Sequence, residues 1–557
     1  MGYLLSLLVI PNALLVGLLL RSTWNGNAWQ GVRETDRQDT AMTTPSRKKI
    51  FLLGTASSYG TTIVSIVVGL VSVPVGLHYF GVVRYGIWAV ISSVIAYLTL
   101  SNLGITTAAA SLTAKASEPF EQWVVLRRSL FLLLISSAVV LGAVLGVAHF
   151  YPGWVVVLGK IPADLHGEAG EAAIAIVILF LLNLPLTVFS YGFIGRQKVY
   201  WERTYASLTT IAGLLALILT VFLLKGNLAT LALFTGSARL LVSIACASHF
   251  LFTSSELRRK SDKPINEEFS TNSIFTSGIR FLVIGIAATI VWNTGNLVIS
   301  HFLGAEMVTP YAVTFALFNL GFSIFVAINA ALWPMYGQSA GRNQWEWVQQ
   351  TYNHTVHLLP ILGGLLWIGG IAFAREVISL WAGPQAYGGL LVVIGLGGYG
   401  YTLSLVNSHG TVLSALNRIK RVVIYGWLEA GANLGISLAL VRVFGIGGVA
   451  LGMFLGALLT VFLLLPRDVA YQTAGKVRMH IRPVISHAIG AMLPCLAFVL
   501  LTYLFVPVVG MRVTINIFIV VLYLALSLRV MSPDTRSLVK NILTEVYVHI
   551  KTQKVKI

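Results

Sequence analysis

From Lys49 to Arg529 the chain is a succession of long, almost uncharged apolar runs, with nearly all of its Lys and Arg residues in the short gaps between them. Fourteen such segments can be marked, at 50–77, 85–113, 129–150, 171–193, 205–224, 228–252, 274–302, 310–334, 355–374, 388–414, 422–441, 446–466, 484–506 and 511–529. About 20 apolar residues cross a bilayer as a helix, and the helix is the one open-ended shape that satisfies its own backbone in hydrocarbon. Of the 557 residues, 56% are hydrophobic and 10% charged, whereas a soluble domain carries roughly 25% charged residues. That excludes the water-soluble classes. Aromatics at 11% and only 17 prolines exclude collagen and a disordered chain. The expected fold is an all-α polytopic membrane protein of about 14 transmembrane helices. Pro74, Pro185, Pro334, Pro360 and Pro494 fall inside segments, where membrane helices tolerate them.

The basic residues give the direction of each crossing. With Arg512 and Arg529, at the two edges of the last segment, counted with the gap and the tail beside them, the N-terminal region, the even-numbered gaps and the tail together hold 30 Lys and Arg, and the odd-numbered gaps hold 6. Positive charge accumulates on the cytoplasmic side, so both ends of the fourteen-helix body are expected in the cytoplasm. The net charge of +18 is then accounted for by topology and by anionic headgroups, with no call for nucleic acid. Cys246 and Cys495 both lie in apolar runs and build neither a disulfide framework nor a metal site.

Both termini are less defined. Segment 3–20 is apolar but has no basic n-region, contains Pro11-Asn12 at its middle and lacks a small-residue cleavage site. It is either an extra anchor or an upstream extension ahead of a start at Met42, and no function is assigned to residues 1–41. In the tail, 534–550, Leu538, Ile542, Leu543 and Val546 recur at helical spacing among basic residues. This reads either as an amphipathic helix on the membrane surface or as a solvated basic tail.

An internal repeat of about 220 residues divides the body. His78-Tyr79-Phe80-Gly81 after segment 1 matches His301-Phe302-Leu303-Gly304 after segment 7, Tyr85 corresponds to Tyr311, Trp123 to Trp345, and Gln197-Lys198 to Asn417-Arg418. The expected organisation is an extension at 1–49, an N-terminal lobe at 50–252 and a linker at 253–273. A C-terminal lobe at 274–466 and a final pair of helices with the basic tail at 467–557 complete it. Two six-helix lobes repeated in one orientation are the plan by which transporters build a site at the membrane midplane.

Several segments carry polar residues on one face. Thr55, Ser58, Thr62, Ser65, Gly69 and Ser72 align in segment 1, and Thr99, Asn102, Thr106 and Thr113 in segment 2. Thr289, Asn293, Asn296 and Ser300 align in segment 7, and Ser404, Asn407, Thr411 and Ser414 in segment 10. Such stripes either line a wet cavity or join helices, as the Gly142/Gly146 and Gly452/Gly456 pairs are expected to do. Intramembrane charges are sharper signals, each costing roughly 2.5–3.5 kcal/mol on insertion scales. Arg239 lies near the middle of segment 6 and faces either an anion or backbone carbonyls. Arg280, about two turns inside segment 7, faces the same anion or snorkels to the edge. Glu429 in segment 11, one turn before Asn433, carries a coupling proton or serves as counter-ion to an arginine. His354 and His357 share a face but have no visible third ligand, so no metal and no cofactor are expected. No nucleophile–base set, phosphate loop or sizeable aqueous segment is present in the sequence, and the chain is not expected to be an enzyme.

The run VPVGLHYFGVVRYGIW at 73–88, continuing to Tyr97-Leu98 and SNLGI at 101–105, resembles the first two spans of the polysaccharide repeat-unit flippases. These belong to the multidrug/oligosaccharidyl-lipid/polysaccharide exporter superfamily. Two positions depart from the pattern, Phe80 for the usual Leu and Asn102 for the usual Asp. The resemblance implies a bacterial inner-membrane protein that moves undecaprenyl-pyrophosphate-linked oligosaccharide to the periplasmic leaflet, by alternating access around a cationic cavity. It also implies a surface-polysaccharide pathway with glycosyltransferases and a polymerase as partners. The cavity candidates, read from this chain's own residues, are Arg239, Arg280, Thr62, Ser65, Asn102, Asn293, Asn296 and Asn407, with Glu429 the coupling candidate. The rival reading is a cation-coupled multidrug exporter of the same fold. Such relatives carry an acidic residue in the first helices, and segments 1 and 2 have none.

Overall fold

The computed structural model describes residues 47–151, 153–258 and 266–531, and of the tail 533, 535–537, 539, 540 and 544. Segment 3–20 and most of the expected tail helix lie outside the described residues. Among the described residues every regular element is helical, and 13 helices are long and apolar enough to cross a membrane. The first of these runs for 47 residues, Ala56–Asn102, and is broken at Gly81 (φ 72°, ψ 177°). The Tyr85 ring lies 3.4 Å from where a Cβ on Gly76 would stand. In a straight helix those residues would be about 13 Å apart along the axis. The chain therefore turns back at Gly81, and this element crosses twice, which brings the crossings to fourteen.

The crossings are α1 (47–80), α2 (82–98, resuming at Ile105–Lys115), α3 (Pro119–Phe150), α4 (Ala163–Gly195), α5 (Val199–Leu224), α6 (Leu228–Thr253) and α7 (Thr271–Leu303). There follow α8 (Ala305–Gly341), α9 (Trp345–Trp381), α10 (Leu390–Ala415), α11 (Lys420–Phe444), α12 (Ile446–Gln472), α13 (Ile481–Phe505) and α14 (Val509–Val530). The end of the bundle that carries the Lys/Arg-rich gaps is called the basic end below.

The sequence repeat is written into the backbone at its turns. Gly81 and Gly304 both take positive φ, 72° and 102°, where a side chain would be strained. At the basic end, Gln197 and Asn417 are both left-handed, at φ 59° and 55°. Each is followed by the same closing bond, Lys198 N to Phe193 O and Arg418 N to Leu413 O, both 2.8 Å. This six-to-one bond ends a helix whose last carbonyls would otherwise be orphaned.

Small residues join some helices and not others. Side chains on Gly452 and Gly456 of α12 would collide with Ser437 and Asn433 of α11, so this pair allows close approach as expected. Gly142 and Gly146 of α3 have nothing within 4 Å; here the motif joins nothing. α13 and α14 are fastened along α9 by polar bonds. Arg512 reaches Glu376 at 2.7 Å, Asn516 donates to Ala372 O at 3.1 Å, and Tyr523 donates to Ile361 O at 2.7 Å.

The apolar core has two parts. One fills α7–α14 and continues into the half of α1, α2, α4, α5 and α6 furthest from the basic end, through residues such as Leu77, Ile87, Ala172, Leu217 and Ala232. The other lies near the basic end between α2, α3, α4 and α6, and includes Phe269 and Ile274. The last residues before α7, and its first turn, thus pack into the N-terminal half. Lys115–Glu268 (2.8 Å) and Arg128 Nη1 to Phe269 O (2.6 Å) hold them there.

Candidate functional site

Arg239 occupies the middle of α6, and its neighbours on the wheel say where it points. Leu228, Ala232, Gly236, Cys246 and Phe250 stand three, seven and eleven residues away, on the same face, and all are buried. The opposite face carries Leu233, Leu241, Ile244 and Phe252, all exposed. Arg239 therefore faces the interior of the N-terminal half, between α4, which packs on Gly236 through Leu179, and α5, where Tyr205 meets His249 at 3.1 Å. Yet Arg239 is exposed, and among the described residues it has no hydrogen-bond or ion-pair partner. An accessible side chain on an inward face requires an open space inside the bundle.

The core confirms that space. Along α6 it is interrupted between Ala232 and Cys246, and among the described residues α1 contributes no fully buried member on the basic side of Val73, only the partly buried Tyr59. The α1 stripe lies along this stretch. Thr62 bonds back to Ser58 O at 3.1 Å, Ser65 is exposed, and Gly60 and Gly69 have nothing within 4 Å. Thr61 ties this helix to α5, through Arg203 O at 3.0 Å and Ser207 Oγ at 2.9 Å, and on α5 Gly213 is also open.

The α7 stripe is engaged with the N-terminal half. Asn296 Nδ2 donates to Ser93 Oγ at 3.0 Å, while its Oδ1 is buried without a partner. Ser300 Oγ donates to Leu158 O at 2.6 Å, and Asn293 Nδ2 turns back to Thr289 O at 3.4 Å. Tyr97 OH meets Thr294 Oγ1 at 2.5 Å. Nearer the basic end α2 breaks. Leu103 and Gly104 are both left-handed (φ 52° and 68°), and Asn102 Oδ1 accepts from Gly104 N at 2.5 Å. Asn102 thus closes a turn, and that turn presses against α7, where a Cβ on Gly104 would overlap Gly278 O. The seam between α2 and α7 is closed along its length.

This contact predicts an effect on stability. Gly104→Ala adds a methyl group with no space beside Gly278 and holds alanine at positive φ, at a combined cost of about 2 kcal/mol or more. The purified variant should melt several degrees below the parent. Gly278→Ala should do the same, because Leu103 O lies 2.7 Å from its Cβ position. Unchanged melting of both would mean the seam is looser than described.

In the C-terminal half, Arg280 is exposed and Glu429 half-buried, and neither has a hydrogen-bond or ion-pair partner among the described residues. Asn433, one turn beyond Glu429, donates to Val291 O at 3.3 Å and accepts from Ser437 at 3.2 Å. Asn407 Nδ2 is buried without a partner, beside Gly410, which has open space. The sequence reading passed over Asn183 of α4, a buried amide whose Oδ1 lacks a partner. Its signal was available, since a lone amide in an apolar crossing has to find a partner or line a cavity. Among the described residues no cluster of His, Cys, Asp and Glu is fit to hold a metal.

Solved structures with this arrangement include transporters. The lipid II flippase MurJ, in an inward closed conformation, superposes with a TM-score of 0.63 at 14% identity, covering 86% of this chain and 98% of that one. An inward-facing MATE multidrug transporter of the MOP superfamily gives 0.62 at 15% identity, covering 78% and 97%. The chain has the multi-pass membrane fold of the MATE transporters and MurJ. The MatE family model matches residues 282–396, from α7 into α10. The "Putative O-antigen transporter" of Salmonella typhi is 22% identical over 437 residues, which span 76% of this chain and 96% of that protein. Sequence relative and fold agree with the resemblance carried by residues 73–105: the chain is similar to an O-antigen transporter and to transporters of the MOP superfamily.

Proposed function

We propose that this transporter flips a lipid-linked oligosaccharide, with undecaprenyl pyrophosphate as the carrier, from the cytoplasmic to the periplasmic leaflet of a bacterial inner membrane. The observation that carries the reading is Arg239, a cation at mid-depth that faces the interior and has no partner among the described residues. An uncompensated intramembrane charge is costly, and a pyrophosphate supplies the missing partner through bidentate charge-assisted bonds. In this reading the basic end is cytoplasmic. Arg280, nearer that end, meets the anion first and Arg239 receives it deeper. Thr62, Ser65, Asn293, Asn296 and Asn407 offer hydroxyls and amides to the sugars. The apolar tail stays in the bilayer, and Glu429 carries the coupling cation. The names of the Salmonella relative and of MurJ support a lipid-linked sugar as cargo.

The MATE likeness also fits a drug exporter. The absence of any acidic residue in α1 and α2, beside a free arginine inside, favours an anionic cargo. Deleting the gene decides between them. Undecaprenyl-linked oligosaccharide should accumulate on the cytoplasmic face, with drug susceptibility unchanged. No accumulation, or sensitisation to cationic drugs alone, would overturn the proposal.

A further inference from the structure

At the end opposite the basic one, the connection between α3 and α4 reaches across to the C-terminal half. Lys160 N donates to Ser300 O at 2.9 Å, and Ala305 N donates to Lys160 O at 3.0 Å. Ser300 Oγ donates to Leu158 O at 2.6 Å, and Lys160 Nζ donates to Phe302 O at 2.9 Å. Between these bonds Gly159 takes φ 97°, and any side chain there would run into Ser300. Beside the strap, Thr309 Oγ1 donates to Val82 O at 2.5 Å, a Cβ on Gly86 would overlap Ala305 O, and Trp381 Nε1 donates to Leu70 O at 2.8 Å. The two halves are stitched here largely through main-chain atoms.

The basic end is joined differently. Among the described residues no hydrogen bond passes between α2 and α7 on the basic side of Tyr97; Leu103 and Gly104 simply lie against Gly278 and Leu282. At the far mouth the helices and the strap are hydrogen-bonded directly; at the basic end the α2–α7 seam is only packed, and the polar bonds go to the residues ahead of α7, Lys115–Glu268 and Arg128 to Phe269 O. We propose that residues 158–160 form a strap that gates the far mouth, and that its release from Ser300 and Ala305 is the step that opens the chamber to that side. Lys160 and Ser300 are positioning residues: they touch each other's segments and set how long the far mouth stays shut. Ser300 also ends the stripe that includes Asn296, one turn away, which donates to Ser93 of α2 and whose Oδ1 is buried without a partner. Filling the chamber and loosening the strap therefore act on one stretch of α7. This inference rests on the reading of the chain as an alternating-access flippase with its basic end in the cytoplasm.

The test uses the full-length protein in cells, with Thr309→Cys as reporter. Thr309 is fully buried, and the native Cys246 and Cys495 are buried too. A membrane-impermeant maleimide added from the periplasm reads the opening of the far mouth. Each hydrogen bond lost should raise the labelling rate roughly two- to tenfold. Lys160→Ala should therefore label several-fold faster, Gly159→Ala faster still, and Lys160→Arg, which keeps a donor, close to the parent rate. A disulfide between Val82→Cys and Thr309→Cys should stop export until reductant is added. Equal labelling of all variants, or export unaffected by the disulfide, would overturn the strap. Labelling needs no substrate, so a failed cargo assignment would show in the deletion strain and leave this result standing.

Discussion

Arg239→Ala should lower the flipping rate by at least tenfold while leaving the amount and melting temperature of the protein unchanged. The two expectations follow from one fact, that the guanidinium has no hydrogen-bond or ion-pair partner among the described residues. Removing one member of a buried pair leaves its partner stranded and destabilises the fold. Here nothing is stranded, and the loss of an uncompensated charge leaves stability equal or improved. The cargo, in contrast, loses a charge-assisted contact of about 1.5–3 kcal/mol, which is roughly a 10- to 150-fold effect. Arg239→Lys keeps the charge but not the planar fork, and its rate should fall between the two. The measurement is the appearance of lipid-linked oligosaccharide in the outer leaflet of proteoliposomes containing purified protein. Parent-like rates in the alanine variant would remove Arg239 from the site.

What could be read in advance follows from how local the determinants are. A crossing declares itself in twenty consecutive residues, so the helices were visible in hydropathy, and the turn at Gly81 in the repeated His-x-x-Gly. The break in α2 was not. Thr99-Leu100-Ser101-Asn102-Leu103-Gly104 carries no charge and no proline to mark a break, and only the Asn-Leu-Gly end hints at left-handed backbone. Asn102 was therefore expected on a cavity face and instead closes a turn. The stripes were ambiguous for a related reason. A hydroxyl at helical spacing has the same sequence whether it is left exposed, as Ser65 is, or meets a carbonyl from the other half, as Ser300 does. Arg239 differed because its value as a signal lay in what was absent, a counter-ion, and only the packing around α6 reveals that.

Arg512→Ala tests an element that local reading had no means of finding, since its partner Glu376 lies 136 residues away. Arg512 is buried at the far end of α14, and its guanidinium also stands over the Tyr503 ring at 5.4 Å. Truncating it leaves the largely buried Glu376 carboxylate without its cation, at a cost of about 3–5 kcal/mol. The bonds of Asn516 and Tyr523 to α9 continue the same face of α14 (spaced by four and seven residues), so the loss should spread along it. The expected result is a markedly lower melting temperature and faster proteolysis in the connection between α12 and α13, with Glu376→Gln milder because an amide still accepts a bond. Exchanging the two charges, Arg512→Glu with Glu376→Arg, should recover much of the loss. Because α13 and α14 are held along α9 from Ile361 to Glu376, they must move with the C-terminal half whenever the far mouth opens. Loosening them should slow export even where Arg239 and the strap are intact. Parent-like stability in the Arg512→Ala variant would mean that the last two helices are held by packing alone.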